Sequence, residues 1–207
     1  MKVIAFNGSP HRDGVIGKGL ALMAGVLSKE GVETEIVEVG AEKIRGCIDC
    51  RKCKAPGLGR CAFNDDIVNS AADKVNAADG MIMGAPVYYG SIAGAFKCFL
   101  DRLFFPGINL EWKPVSAFVS CRRSGGINAF HQLNNYFNLA RAIITPSVYW
   151  GVLHGNNAKE SEGDREGIHI LESSAANLAW LLKALEFGKE KIPLPPKAKR
   201  VWTNFIH

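Results

Sequence analysis

The 207-residue chain has no apolar run long enough to span a bilayer, so a membrane partner is not expected. It has neither a G-x-G-x-x-G dinucleotide fingerprint nor a Walker A loop. No internal repeat and no interdomain linker interrupts it. Charge of one sign is also scarce: the net excess is +5, and the basic residues are scattered. The densest basic stretches, Arg51–Lys54 and Lys197–Arg200, lack the length and aromatic interleaving of a nucleic-acid surface, so no nucleic-acid partner is expected. His131, His154 and His169 lack ligand spacing. The six cysteines are not spread as the staples of a secreted domain. The N-terminal apolar stretch is too short for a signal peptide and runs directly into a Gly-rich turn, which makes a cytoplasmic location the expectation.

What is present suits one well-buried α/β domain. Hydrophobic residues make up 47% of the chain and charged residues 22%, enough apolar material for a core covered on both sides. The pattern predicts strands near 2–7, 33–39, 79–87, 114–120 and 142–149, and helices near 16–30, 66–76, 92–104, 127–140 and 164–187. Asp65 or Asp66 is a candidate cap for the second helix, and the acidic run from Gly163 to Gly167 fits the start of the last one. Five strand–helix pairs in alternation predict a doubly wound parallel sheet of five strands in the order 2-1-3-4-5. The expected division is a domain over 1–190, carrying a cysteine-rich loop at 40–65, and a Pro-rich tail over 191–207. In this architecture a ligand sits beyond the carboxyl ends of the strands at the switch point, where loops 8–16, 86–91 and 120–126 should meet.

Each of those loops has suitable chemistry. Gly8–Gly14 joins the first strand to the first helix, where free N–H groups and the helix dipole favour a phosphate. Ser9 can donate a hydroxyl hydrogen bond, Gly14 permits close backbone approach, and His11, Arg12 and Lys18 can add positive charge. Taken alone, the segment also reads as an ordinary βα turn. At the end of the third strand, Pro86, Val87, Tyr88, Tyr89, Gly90 and Ser91 offer flat aromatic faces and backbone N–H groups for the ring of a flavin. After the fourth strand, Ser120, Cys121, Arg122, Arg123, Gly125 and Gly126 could bond the pyrimidine end or the ribityl chain. Either arginine could stabilise a reduced flavin or hold a nicotinamide phosphate, or simply be a surface residue. Trp150, Trp180 and Trp202 are candidates for a subunit contact.

Four cysteines fall within fifteen residues, Cys47-x2-Cys50-x2-Cys53-x7-Cys61. Cys47, Cys50 and Cys53 are spaced like the first ligands of an iron–sulfur cluster, with Cys61 as the fourth. Zinc, free thiols or a redox disulfide between Cys50 and Cys61 also fit. Cys98 reads as a small buried hydrophobe and Cys121 as packing, while adjacent Asp101 and Arg102 suggest a structural ion pair.

Gly8-Ser-Pro, Pro86–Ser91 and Lys97–Arg102 resemble the NADPH-dependent FMN reductase and flavodoxin-like quinone reductase superfamily. The cysteine spacing resembles its iron–sulfur flavoprotein branch, as do Ser120–Gly125, Tyr149-Trp150, Ala179–Leu182 and Thr203–Phe205. The resemblance implies non-covalent FMN, NAD(P)H as co-substrate and a four-iron four-sulfur (4Fe-4S) cluster on the four cysteines. It further implies a small-molecule or protein electron acceptor and a homodimer or homotetramer. Two alternatives remain: a non-enzymatic flavodoxin-like electron carrier, and a zinc-stabilised binding module that has lost the flavin. One departure bears on the phosphate. The family usually places Asn and then Thr or Ser after the loop glycine, whereas this chain has Val15 and Ile16, which predicts weaker FMN binding.

Overall fold

In the computed structural model, residues 1–196 are described together with 198, 199, 201, 203 and 205; Lys197, Arg200, Trp202, Asn204, Ile206 and His207 lie outside the described residues. Lys2–Asn7 (β1) is buried over nearly its whole length, as a parallel strand with helices on both faces must be. Its neighbour Glu33–Glu38 (β2) forms the sheet edge and carries charge instead: Glu35 pairs with both Lys2 and Lys74. Such charges protect an exposed edge from pairing with another strand. Gly80–Tyr88 (β3) and Pro114–Cys121 (β5) are the other two buried central strands. Between them, Ser91–Ile92 (β4) folds back antiparallel on β3, and Ile143–Ile144 (β6) and Val152–His154 (β7) both pair with β5. The principal order is β2-β1-β3-β5-β6, which is the expected 2-1-3-4-5 arrangement.

Alternation along the strands divides the core in two. Ile4 and Phe6 face Gly94–Phe104 (α3), with Val68–Ala77 (α2) and Gly126–Leu139 (α4) on the same side. Val3, Ala5, Ile82 and Phe118 face Val15–Lys29 (α1) and Arg165–Gly188 (α5). Asp164 caps α5 by accepting the Gly167 N–H at 3.0 Å, as the acidic run suggested. Asp66 accepts the Val68 N–H at the start of α2. Among the described residues, no helix is long and apolar enough to cross a membrane.

The fifth strand departs from the expected single run over 142–149. It pairs with β5 only at Ile143–Ile144 and again at Val152–His154. Between the two pieces Pro146 has no N–H to give a sheet, and the chain leaves to bond α5: Ser147 Oγ donates to the Ile170 carbonyl at 2.6 Å, and Asn177 donates to the Pro146 carbonyl at 2.9 Å. Asp101 and Arg102 do not pair with each other. Asp101 bonds Lys97 and Tyr136, while Arg102 turns inward to Asp66. Cys98 is half-buried rather than buried, its sulfur facing Gly46.

Helix α1 packs tightly over the middle of the sheet. A methyl group on Gly84 would lie 2.7 Å from Ile16 Cγ2 and 3.1 Å from the Phe118 ring. Gly84→Ala should therefore destabilise the protein by about 1–3 kcal/mol through overpacking, measured as a lowered urea midpoint with an unchanged m-value.

Candidate functional site

At the carboxyl rim, Asn7 closes β1 and organises the loop that follows. Its side chain is fully buried; its Oδ1 accepts the Ser9 N–H at 3.0 Å and its Nδ2 donates to Glu38 at 2.8 Å. The Ser9 hydroxyl in turn accepts the His11 N–H at 3.1 Å. The Gly8 N–H donates to the Gly84 carbonyl at 2.8 Å, locking this loop to the middle of the neighbouring strand. Burial pushes the Glu38 carboxyl above its ordinary range, while the Asn7 amide and Arg12 oppose that shift. Neither Asn7 nor Glu38 was singled out by motif, because both look like ordinary strand residues until the fold joins them.

The first intrahelical bond of α1 runs from the Lys18 N–H to the Gly14 carbonyl, and Gly14 contributes no side-chain cap. The N–H groups of Val15, Ile16 and Gly17 thus precede the helical ladder and are directed outward from its start. Val15 and Ile16 pack in the α1 face of the core and also line the rim cavity, to which they bring no side-chain donor. Lys18 lies apart from the cavity. It bonds the Ala158 carbonyl at 3.3 Å and pairs with Glu162, tying a fourth segment to α1.

A cavity of about 980 Å³ opens where these segments meet. Ser9–Ile16 form one wall, Pro86, Val87 and Tyr88 another, and Ser120, Cys121 and Arg122 a third. Gly155–Lys159, which the loop chemistry did not flag, form the fourth. His11, Arg12, Arg122 and Lys159 outnumber the acidic Asp13 around it, which suits an anionic ligand.

The structure places the remaining ring-loop residues elsewhere. Tyr89 and Gly90 take φ values of +52° and +74° and form the two-residue turn between β3 and β4, which leaves Tyr89 fully exposed outside the cavity. Gly90 accepts a hydrogen bond from Asn128, and Ser91 bonds Gln132 at 2.8 Å, so these two hold the turn against α4. Arg123, Gly125 and Gly126 line a smaller cavity of about 350 Å³ beside Tyr149, Trp150 and His154. Cys121 belongs to the wall between the two cavities, and burial pushes its thiol above the ordinary range.

The cysteine segment makes a separate site. Cys47, Cys50, Cys53 and Cys61 all line one cavity of about 20 Å³, together with Phe63 and Arg102. Cys53 and Cys61 are buried, whereas Cys47 and Cys50 are exposed on a segment without regular structure. Four thiols with no competing carboxylate in the lining fit iron–sulfur or zinc chemistry. The cavity itself takes about one water-sized group, and among the described residues no three ligating side chains converge as a metal set. The fit to a cluster is thus one of donor chemistry, four thiols on one cavity with two of them on an exposed segment. Arg102 is only 1% exposed and donates its Nε–H to Cys61 Sγ at 3.2 Å. Burial alone would disfavour its charge, but Asp66 and the Cys61 sulfur more than offset this.

Residues 1–157 match the family described as NADPH-dependent FMN reductase. An iron–sulfur flavoprotein of Methanocaldococcus jannaschii is 31% identical, with 86% of this chain and 93% of the relative covered. An iron–sulfur flavoprotein of Methanosarcina thermophila is 25% identical over 92% of this chain and all of the relative. Among solved structures, RosB with bound 8-demethyl-8-formylriboflavin-5'-phosphate superposes with a TM-score of 0.71 at 18% identity, covering all of this chain and 94% of that one, which shows a common fold.

Exposure and thiol chemistry together make a prediction. Brief iodoacetamide treatment of metal-free protein at pH 7.5 should alkylate Cys47 and Cys50 and leave Cys121 unmodified, read by peptide mass spectrometry.

Proposed function

Because the chain belongs to the NADPH-dependent FMN reductase family, we propose that it is an FMN-dependent NAD(P)H oxidoreductase that passes electrons to a small-molecule or protein acceptor. The observation that carries this reading is the rim cavity, which has an uncapped helix start at one end and the half-exposed Tyr88 among its lining. When bound, FMN supplies two-electron redox chemistry and a 4Fe-4S cluster supplies single-electron transfer. The backbone N–H groups of Val15–Gly17 and the Ser9 hydroxyl hold the phosphate, with Arg12 and Lys159 supplying countercharge. Pro86, Val87 and Tyr88 bound the flat ring on one side, and Ser120–Arg122 orient its polar edge. Arg122 is the candidate for stabilising negative charge on the ring or for receiving a nicotinamide phosphate. Cys47, Cys50, Cys53 and Cys61 are the ligands proposed for the cluster.

The substitution of Val15 and Ile16 for polar residues shifts the phosphate onto backbone groups and the basic side chains. Arg12 therefore carries an unusual share of the affinity. The exposed Tyr149–Trp150 pair, with ring centroids 4.5 Å apart, supports an assembly of two or four copies in which this surface is covered. A cytoplasmic location accords with this chemistry and with thiols that must stay reduced.

The decisive experiment is anaerobic purification, a visible spectrum, and rapid mixing with NADPH. The expected result is bound flavin that bleaches on mixing. Flavin that binds but does not bleach would identify an electron carrier, and one zinc with no flavin would identify a binding module. Arg12→Ala should weaken FMN binding by about 10–100-fold, the loss of one hydrogen bond to a charged group, measured by quenching of FMN fluorescence.

A further inference from the structure

We propose that Arg102 is a positioning residue for the cysteine site, whose Nε–H holds the Cys61 sulfur in place as the preformed ligand and tunes the potential of the group bound there. This rests on the reading of the four cysteines as cluster ligands. Arg102 is in the last turn of α3, and its guanidinium reaches both limbs of the cysteine segment. Its Nη1 donates to the Arg45 carbonyl at 3.3 Å, just ahead of Cys47, and its Nη2 donates to the Phe63 carbonyl at 3.3 Å, just beyond Cys61. Asp66 neutralises the charge through both terminal nitrogens. The Nε–H is left for the sulfur, at 3.2 Å, and among the described residues it has no other acceptor. A planar fork with five donors can satisfy all these directions at once; an ammonium cannot.

The two halves of the site are unequally held. The Cys61 backbone is clamped by Asn69, whose Oδ1 accepts the Cys61 N–H at 3.0 Å and whose Nδ2 donates to the Cys61 carbonyl at 2.9 Å. With Arg102 on its sulfur, Cys61 is held at both ends. Cys50, by contrast, is exposed and flanked by Asp49 and Arg51, both in the left-handed region with φ of +48° and +55°. Non-glycine residues rarely occupy that region, and a short rearrangement of this segment would relieve them. Cys61 and Cys53 are therefore the buried pair of the site, and Cys47 and Cys50 its exposed pair. Once the site is filled, an N–H donor at a ligand sulfur favours the more negative, reduced state and raises the reduction potential.

The test uses the full chain, reconstituted anaerobically with ferrous iron and sulfide. Arg102→Lys retains the charge but loses the fork. Asp66→Asn/Arg102→Gln removes both buried charges together, so neither is left unpaired. Asp66→Asn alone disturbs the buried pair but keeps the Nε–H on the sulfur, so a lowered midpoint in this variant would mark a merely structural effect. The expected result is loss of iron to a chelator about 10–100-fold faster, and a more negative midpoint potential, in both Arg102 variants. Asp66→Asn, which keeps the donor and uncovers the guanidinium charge, should not lower the midpoint even if its Tm falls. Wild-type protein labelled with 15N-arginine needs no substitution: its reduced cluster should show hyperfine coupling to an arginine nitrogen. Wild type that takes up iron but shows no such coupling overturns the proposal, as do Arg102 variants that fold and match the wild-type midpoint. Wild type that binds no iron at all overturns the cluster reading as well, so the two failures are distinguishable.

Discussion

Everything in this molecule depends on three central strands, β1, β3 and β5, buried on both faces and joined in parallel register. Their connections leave in opposite directions at one rim. From β1 the chain turns to α1 on one side of the sheet, and from β3 it turns through a hairpin to α3 on the other. A cleft must open where the connections part. The bond from Gly8 to the Gly84 carbonyl and the contact of Ile16 with Gly84 hold its edges at fixed separation. The cavity is thus a consequence of winding order and needs no strained element to keep it open.

Helix α3 links the two chemical sites. Near its start, Phe96 packs against Gly8, at the base of the loop that forms one wall of the rim cavity. Six residues later, Arg102 reaches Cys61. A rise of 1.5 Å per residue sets these positions about 9 Å apart along one rigid axis. A single helix therefore fixes the cysteine segment relative to the place where a flavin would lie. A segment lacking regular structure gains its position from one buried guanidinium and its carboxylate, which is costly to disturb because removing either partner leaves the other charge in the core.

The smaller cavity and the exposed Tyr149–Trp150 pair result from the break in the fifth strand. Pro146 forces the chain out of the sheet, and side-chain bonds to α5 hold it there. The strand returns only at Val152, where its pairing with β5 completes the wall bearing Cys121. An interruption that looks like a defect in the sheet thereby forms one side of a binding surface.

The alternation of strand and helix and the cysteine cluster could be read from the sequence, because each is written in local periodicity or spacing; the sheet order followed only as the leading arrangement for five alternating pairs. Buried strands are apolar runs, amphipathic helices repeat every three to four residues, and cysteines of one site here sit within a single segment. What the fold alone decided were contacts between distant positions. Lys18 looked like a phosphate ligand by its place in the chain, yet Glu162 draws it away. Tyr89 and Ser91 looked equivalent to Tyr88, but left-handed backbone at the turn sends Tyr89 outward, and Gln132 takes Ser91. Asn7, the Gly155–Lys159 wall and the sulfur bond of Arg102 left no mark in the local pattern, since each depends on a partner at least thirty residues away or on which face of the sheet a segment crosses. Local propensity specifies the elements, whereas the geometry of packing determines which side chains among them can meet.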